Sequence, residues 1–256
     1  MRIPFKFRHW ALVIGHWSFA LCVFAQNPAD DPKPSKLRFL FLDETPGAYA
    51  LKIDTGFKQI SSAPYAISPP FTPAGLNRLE IYKTNPVPDP VSGKNTRVKV
   101  ATITPPANTS SALVILAPRP LAADALPGAL PVYDVEFIDS DPQAYPLGTV
   151  RILNRGHAVM AAQFGEETVT SEPGSTRIVR PATDPRFRLR AKVATQTPGG
   201  WEMLDSNVTI LKADTRITGV LVFSPSGMRH LYDESTLYGR GLPPPGHVWL
   251  MYSDPP

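Results

Sequence analysis

An all-β fold, arranged as two tandem immunoglobulin-like β-sandwich repeats behind a signal peptide, is what the sequence predicts, and three observations predict it. Thirty prolines and seventeen glycines interrupt the chain, and because an interior proline costs about 3 kcal/mol, few windows can hold a helix longer than about two turns. Between the interruptions lie short runs rich in β-branched and aromatic residues, several alternating at period two, as in Arg97-Val98-Lys99-Val100-Ala101-Thr102-Ile103. A segment also recurs: Phe41 to Leu51 lines up 96 residues later with Phe137 to Leu147, identical at six positions.

The first element is an export signal. Arg2, Lys6 and Arg8 form a basic start, Ala11 to Phe24 an apolar stretch, and Val23-Phe24-Ala25 a small-residue ending where a peptidase cuts. Cleavage after Ala25 is expected. The apolar stretch is shorter than the roughly 20 residues of a membrane span, and a polar, proline-rich run, Gln26 to Ser35, follows it. An uncleaved anchor is the lesser reading. Cys22, the only cysteine, lies within the signal, so the mature chain has no thiol for disulfides, thiolate metal sites or nucleophilic catalysis.

The expected strands then run Leu37 to Leu42, Ala50 to Ile53, Arg78 to Lys83, Arg97 to Thr104, Ala112 to Ala117, Tyr133 to Ile138, Thr149 to Asn154, Thr176 to Arg180, Phe187 to Thr195, Asn207 to Leu211, Ile217 to Ser224 and His247 to Tyr252. Many short strands at this spacing make a sandwich or barrel. The repeat continues in order, Gly56 with Gly156, Gly75 with Gly174, Arg78 with Arg177 and Pro118 with Pro225. Copy one therefore spans residues 36–119, a Pro/Ala-rich linker 120–131, copy two 132–226, and a tail with a docking strand 227–256. One larger fused β-sandwich built from both copies is the alternative.

Composition narrows function. With the three basic residues of the signal removed, 23 basic side chains face 22 acidic ones, and they are spread singly rather than clustered, so a nucleic-acid partner is not expected. Membrane contact is expected only through the export signal. Three histidines remain, His157, His230 and His247, in unrelated segments without metal-ligand spacing. No nucleophile elbow is present, and no catalytic residue is assigned.

Among residues that recur in the repeat, Asp43 and Asp139 follow strands and precede prolines, where a carboxylate caps a turn. The rival for Asp43, Glu44, Asp139 and Asp141 is calcium, which wants about six to eight oxygens and would find two or three of them here. Tyr49 and Tyr145 fit a sandwich corner, ring buried and hydroxyl bonded to backbone. Arg78 and Arg177 open strands, where the stem lies over the sheet or the head pairs with a carboxylate. Trp201, beside Gly199-Gly200 in an inserted hairpin, is the best candidate for a displayed aromatic. Ligand contacts, if any, fall to Trp201, Tyr49, Tyr145, Arg78 and Arg177.

The run Leu37 to Asp54, a strand followed by Asp43-Glu44-Thr45-Pro46-Gly47 and then Ala50-Leu51-Lys52-Ile53-Asp54, resembles the opening of exported bacterial β-sandwich domains of unknown function. It covers under twenty residues per copy, and in the second copy Ile152-Leu153-Asn154 replaces the terminal Asp. The resemblance implies fold and compartment and supplies no catalytic residues.

The resulting expectation is a periplasmic or secreted, non-catalytic binding or assembly module whose partner is an envelope protein or polysaccharide. The rival is a carbohydrate-binding module, calcium-supported or not, built around Trp201. A third reading is a hydrolase whose carboxylates meet only in three dimensions. A sugar binder should show coplanar exposed aromatics, an assembly module an unprotected apolar edge or patch, and a hydrolase a pocket with two displaced carboxyl pKa values.

Overall fold

The computed structural model describes residues 36–254 apart from 45–47, 62–63, 74–77, 86–87, 89–90, 106–108, 120–130 and 228–244. The export signal, the proline-rich run after it and nearly all of the Pro/Ala-rich linker lie outside the described residues. Pro34–Pro256 forms one compact unit. Its described residues are all β, with fifteen strands in four sheets and no helix.

The strands are β1 Lys36–Phe41, β2 Tyr49–Ile53, β3 Gly56–Ser61, β4 Leu79–Thr84, β5 Arg97–Ile103, β6 Ser111–Pro118, β7 Tyr133–Asp139, β8 Val150–Arg155, β9 Met160–Phe164, β10 Glu167–Ser171, β11 Thr176–Val179, β12 Arg188–Thr197, β13 Gly200–Ile210, β14 Arg216–Ser224 and β15 Gly246–Asp254. The sheets have the orders β3-β2-β4-β5, β1-β6-β7, β11-β8-β14-β15 and β10-β9-β12-β13.

Side-chain patterns stack these sheets as four layers. In β6, Ala112, Val114 and Leu116 face the β3-β2-β4-β5 sheet with Leu51, Leu79, Ile81 and Ile103. The intervening Leu113 and Ile115 face the other way, against Leu153, Val220 and Val222 of the β11-β8-β14-β15 sheet. On that sheet's far face, Val150, Ile152, Ile217 and Leu221 meet Met160, Phe164, Leu189 and Val193 of the last sheet. Strands β1, β6, β8 and β14 of the two middle sheets are thus buried on both faces, which is why β6 reads as an unbroken apolar run, as strands without a wet face do. The outer sheets alternate instead, β12 running exposed, buried, exposed, buried from Arg188.

Connectivity repeats, but not in the register that matching residues suggested. Parallel β1–β6 followed by antiparallel β6–β7 is answered by parallel β8–β14 followed by antiparallel β14–β15. The order β3-β2-β4-β5 is answered by β10-β9-β12-β13. Even β11 on β8 has a counterpart, in bridges from Leu37 to Phe71 and Leu40 to Ile67. Strand β1 therefore corresponds to β8, whereas the sequence match set Phe41, the end of β1, against Phe137 inside β7. What had matched was turn chemistry, an Asp, a Pro and a Tyr after a strand, which recurs wherever a strand ends. Strand β7, placed by sequence at the head of the second copy, hydrogen-bonds to β6 and packs Tyr133, Val135 and Phe137 into the first core.

One close approach is fixed by glycine. Gly219 of β14 lies beneath the Trp249 ring of β15, and a Cβ there would stand 2.1 Å from two ring carbons. Overpacking of this kind costs about 1–3 kcal/mol. Gly219→Ala is expected to lower the urea midpoint with the slope unchanged, and an unaltered midpoint would show that the tryptophan has room to move.

Candidate functional site

The first core contains a charged cluster. Leu79, Ile81 and Lys83 share one face of β4 by the period of two, and that face is buried, so Lys83 is carried inside with no exposed surface. Its Nζ donates to Asp43 Oδ2 at 2.5 Å. Asp43 sits two residues beyond β1, and its Oδ2 also accepts the Tyr49 hydroxyl at 2.5 Å and the hydroxyl of Tyr133 from β7. The two phenol oxygens are 2.8 Å apart, and Tyr133 Oη lies 3.4 Å from Lys83 Nζ. The Tyr49 ring stacks on Phe41 and lies 5.1 Å below the ammonium. Burial pulls the Lys83 pKa down, and Asp43 restores only part of it. Burial, with Asp43 adding to it, pushes both phenols far above their usual range, so both stay neutral donors.

In the second half the equivalent pairing, β9 on β12, sets Met160 opposite Thr195 where β2 on β4 sets Tyr49 opposite Lys83. The fold accepts an uncharged pair at that place.

A second polar cluster pins the β7–β8 crossover. Tyr145 is fully buried and donates to the Ile217 carbonyl at 2.5 Å. The guanidinium of Arg151 lies 4.1 Å, and that of Arg216 5.0 Å, from its ring centre. Arg216 donates to the Tyr145 and Ser140 carbonyls, and Arg151 to Ser140 Oγ. Burial pushes the Tyr145 hydroxyl up to about 12.

Polar contacts also close the seam between the middle sheets. Glu44 accepts bonds from the Ser224 hydroxyl, the Ser226 N–H at 3.1 Å and the Tyr65 hydroxyl at 3.2 Å. Arg155 grips Glu136 through Nε at 2.7 Å and Nη2 at 2.6 Å, and Arg38 pairs with Asp254.

On the outer face of the last sheet, one strand is apolar where a sheet surface is ordinarily polar. Strand β13 is its edge, and register with β12 sets Ile210 opposite Arg188, Val208 opposite Arg190, Met203 opposite Ala194 and Trp201 opposite Gln196. Directly opposed residues share a face. Arg188, Arg190, Lys192 and Gln196 point to solvent while Leu189, Ala191 and Val193 point to the core. Trp201, Met203, Val208 and Ile210 consequently stand on the solvent side, each at least half exposed. Glu202, Asp205, Asn207 and Thr209 take the opposite face, with Glu202 and Asn207 still exposed, and a bulge at Val193/Ala194 turns Leu204 against the core.

The sequence-selected residues are thus separated. Tyr49 and Asp43 meet in the first core, and Tyr145 anchors the crossover with its hydroxyl on backbone. Arg78 is exposed just ahead of β4, Arg177 is exposed on β11, and Trp201 stands on the outer face. The acidic set offered for calcium does not assemble: Asp43 is held by Lys83 and the phenols, Glu44 by the seam, Asp139 by the Asp141 N–H, and Asp141 by Ser110. Among the described residues no three His, Cys, Asp or Glu side chains gather at one point. Lys83 and Tyr133 went unselected, although Lys83 occupies the core phase of Leu79-Glu80-Ile81-Tyr82-Lys83, which is a visible signal.

No family model and no curated protein matches the chain. Among solved structures, a candidate cell adhesion protein from Bacteroides eggerthii DSM 20697 aligns over 88% of this chain and 96% of its own, at 8% identity and a TM-score of 0.23. A likeness that slight carries no argument about fold or function.

Removing one partner of a buried pair typically costs about 3–5 kcal/mol. Lys83→Met is expected to destabilise by that order, with Lys83→Met/Asp43→Leu recovering a large part in urea titrations; equal losses would mean that the carboxylate is satisfied without the lysine. Glu44 supplies a pH dependence. Burial raises its pKa, but the Ser224, Ser226 and Tyr65 bonds outweigh it and leave the net value below 4.5. A carboxyl depressed in the folded state stabilises above its unfolded pKa, and that share is lost as pH falls through the folded one. Melting temperature should therefore fall more steeply below about pH 4.5 in the wild type than in Glu44→Gln, and parallel curves would remove Glu44 from the account.

Proposed function

We propose that the protein is an exported, non-catalytic binding or assembly module of the cell envelope, built from two β-sandwich repeats, and that it docks a partner protein on the outer face of β12 and β13. The observation that carries this reading is the row of large apolar side chains that the edge strand β13 turns to solvent. A solvent-facing row of Trp201, Met203, Val208 and Ile210 costs solubility unless something covers it. The Arg188, Arg190 and Lys192 row beside it favours an acidic or anionic rim on the partner. The bulge and the charged Asp205 and Glu202 on this edge strand are devices that keep edge strands from pairing with foreign strands, so binding uses the face rather than the edge. Export rests on the basic, apolar and small-residue order of residues 1–25.

The carbohydrate reading has Trp201 in its favour but lacks a second aromatic on β12 or β13 to make a stacking platform. The hydrolase reading wants a carboxyl held above its ordinary range as general acid, whereas Glu44, Glu80, Asp134, Asp141 and Asp184 lie below it.

The test is binding of the mature chain from Gln26 to envelope proteins and to a panel of glycans and cell-wall polysaccharides, with calcium and with chelator. The expected result is a chelator-insensitive protein partner lost in Met203→Ser/Val208→Ser. Saturable glycan binding abolished by Trp201→Ala alone would replace this reading with the carbohydrate one.

A further inference from the structure

The Asp43–Lys83 pair invites a chemical question, because a buried ion pair is seldom better than apolar residues of similar size and the equivalent place in the second half holds Met160 and Thr195. Four features coincide there. A lysine amine without exposed surface touches a carboxyl oxygen at 2.5 Å. Two neutral phenols donate to that same oxygen. One of the phenols also reaches the amine. The surrounding wall is apolar and aromatic, from Phe41, Leu51 and Ile81.

We propose that Lys83 and Asp43 condense to an intramolecular amide that joins β4 to the end of β1 across the first core. A proton first passes from the ammonium to Asp43 Oδ2, which it contacts at 2.5 Å, giving a neutral amine and a neutral acid, the pair that a low-dielectric site favours. The Nζ lone pair then attacks Cγ, and the Cγ–Oδ1 π electrons move onto Oδ1. The hydroxyls of Tyr49 and Tyr133 already point at Oδ2 and assist it as the leaving oxygen. As the tetrahedral centre collapses, the Cγ–Oδ2 bond breaks, and Oδ2 leaves as water with the second proton from Nζ, relayed by the Tyr133 hydroxyl, which touches Oδ2 and lies 3.4 Å from Nζ. One C–N bond forms, one C–O bond breaks, one water is released, and nothing is oxidised or reduced. Contact between the reacting groups replaces the activation that free acids and amines require.

Peptide mapping decides the matter on the wild-type protein and is independent of what the outer face binds. The full chain is purified, denatured, digested with trypsin and sequenced by tandem mass spectrometry. A branched species joining the Asp43 and Lys83 segments, lighter by one water than their sum and uncleaved after Lys83, is expected. It should be absent from Lys83→Arg and Asp43→Ala and should form more slowly in Tyr133→Phe. Quantitative recovery of linear peptides cleaved after Lys83 in the wild type would overturn the proposal, as would a branched species persisting in Lys83→Arg.

Discussion

Four strands, β1, β6, β8 and β14, have no wet face, and the rest of the architecture answers that constraint. Each lies in a middle sheet and alternates between two cores, so that β1 sends Leu37, Phe39 and Phe41 one way and Leu40 the other. A sheet buried on both faces must be covered twice. One cover is an outer sheet with alternating strands, and the other is the second middle sheet. Leu113 and Ile115 against Val220 and Val222 make the halves one body, while Glu44, Arg155–Glu136 and Arg38–Asp254 satisfy the charges at its seam.

Polar groups enter this dry interior only with partners supplied. Tyr145 is clamped by two guanidinium groups that bond to carbonyls and hydroxyls of the crossover, and Asp43 receives three donors on one oxygen. Such networks are costly when incomplete and rigid when complete. The crossover network fixes where the chain passes from the first middle sheet to the second. The Asp43 network ties β1, β2, β4 and β7 together at a depth where the other half places the uncharged pair Met160 and Thr195.

Much of this was legible beforehand. The all-β class followed from proline density and period-two runs, and Arg97–Ile103 is a strand. Strands β3 and β9 escaped because Gly56–Ser61 and Met160–Phe164 carry few β-branched or aromatic side chains, whereas β10 escaped although Thr168, Val169 and Thr170 are β-branched. The sequence match rested on loop residues, whose chemistry is local, and it did not give the pairing register, because strand equivalence resides in pairing, which no single sequence displays. Lys83 could have been found from its phase on β4. The solvent-facing row of β13 could not, since a strand's alternation does not say which phase faces the core until its neighbour β12 is known.

The contact between Arg38 and Asp254 joins the first strand of the unit to the last. Chain therefore comes into and goes out of this body at neighbouring points on its middle layers. Tension applied between those points bears on the β1 and β15 seam and bypasses both outer sheets.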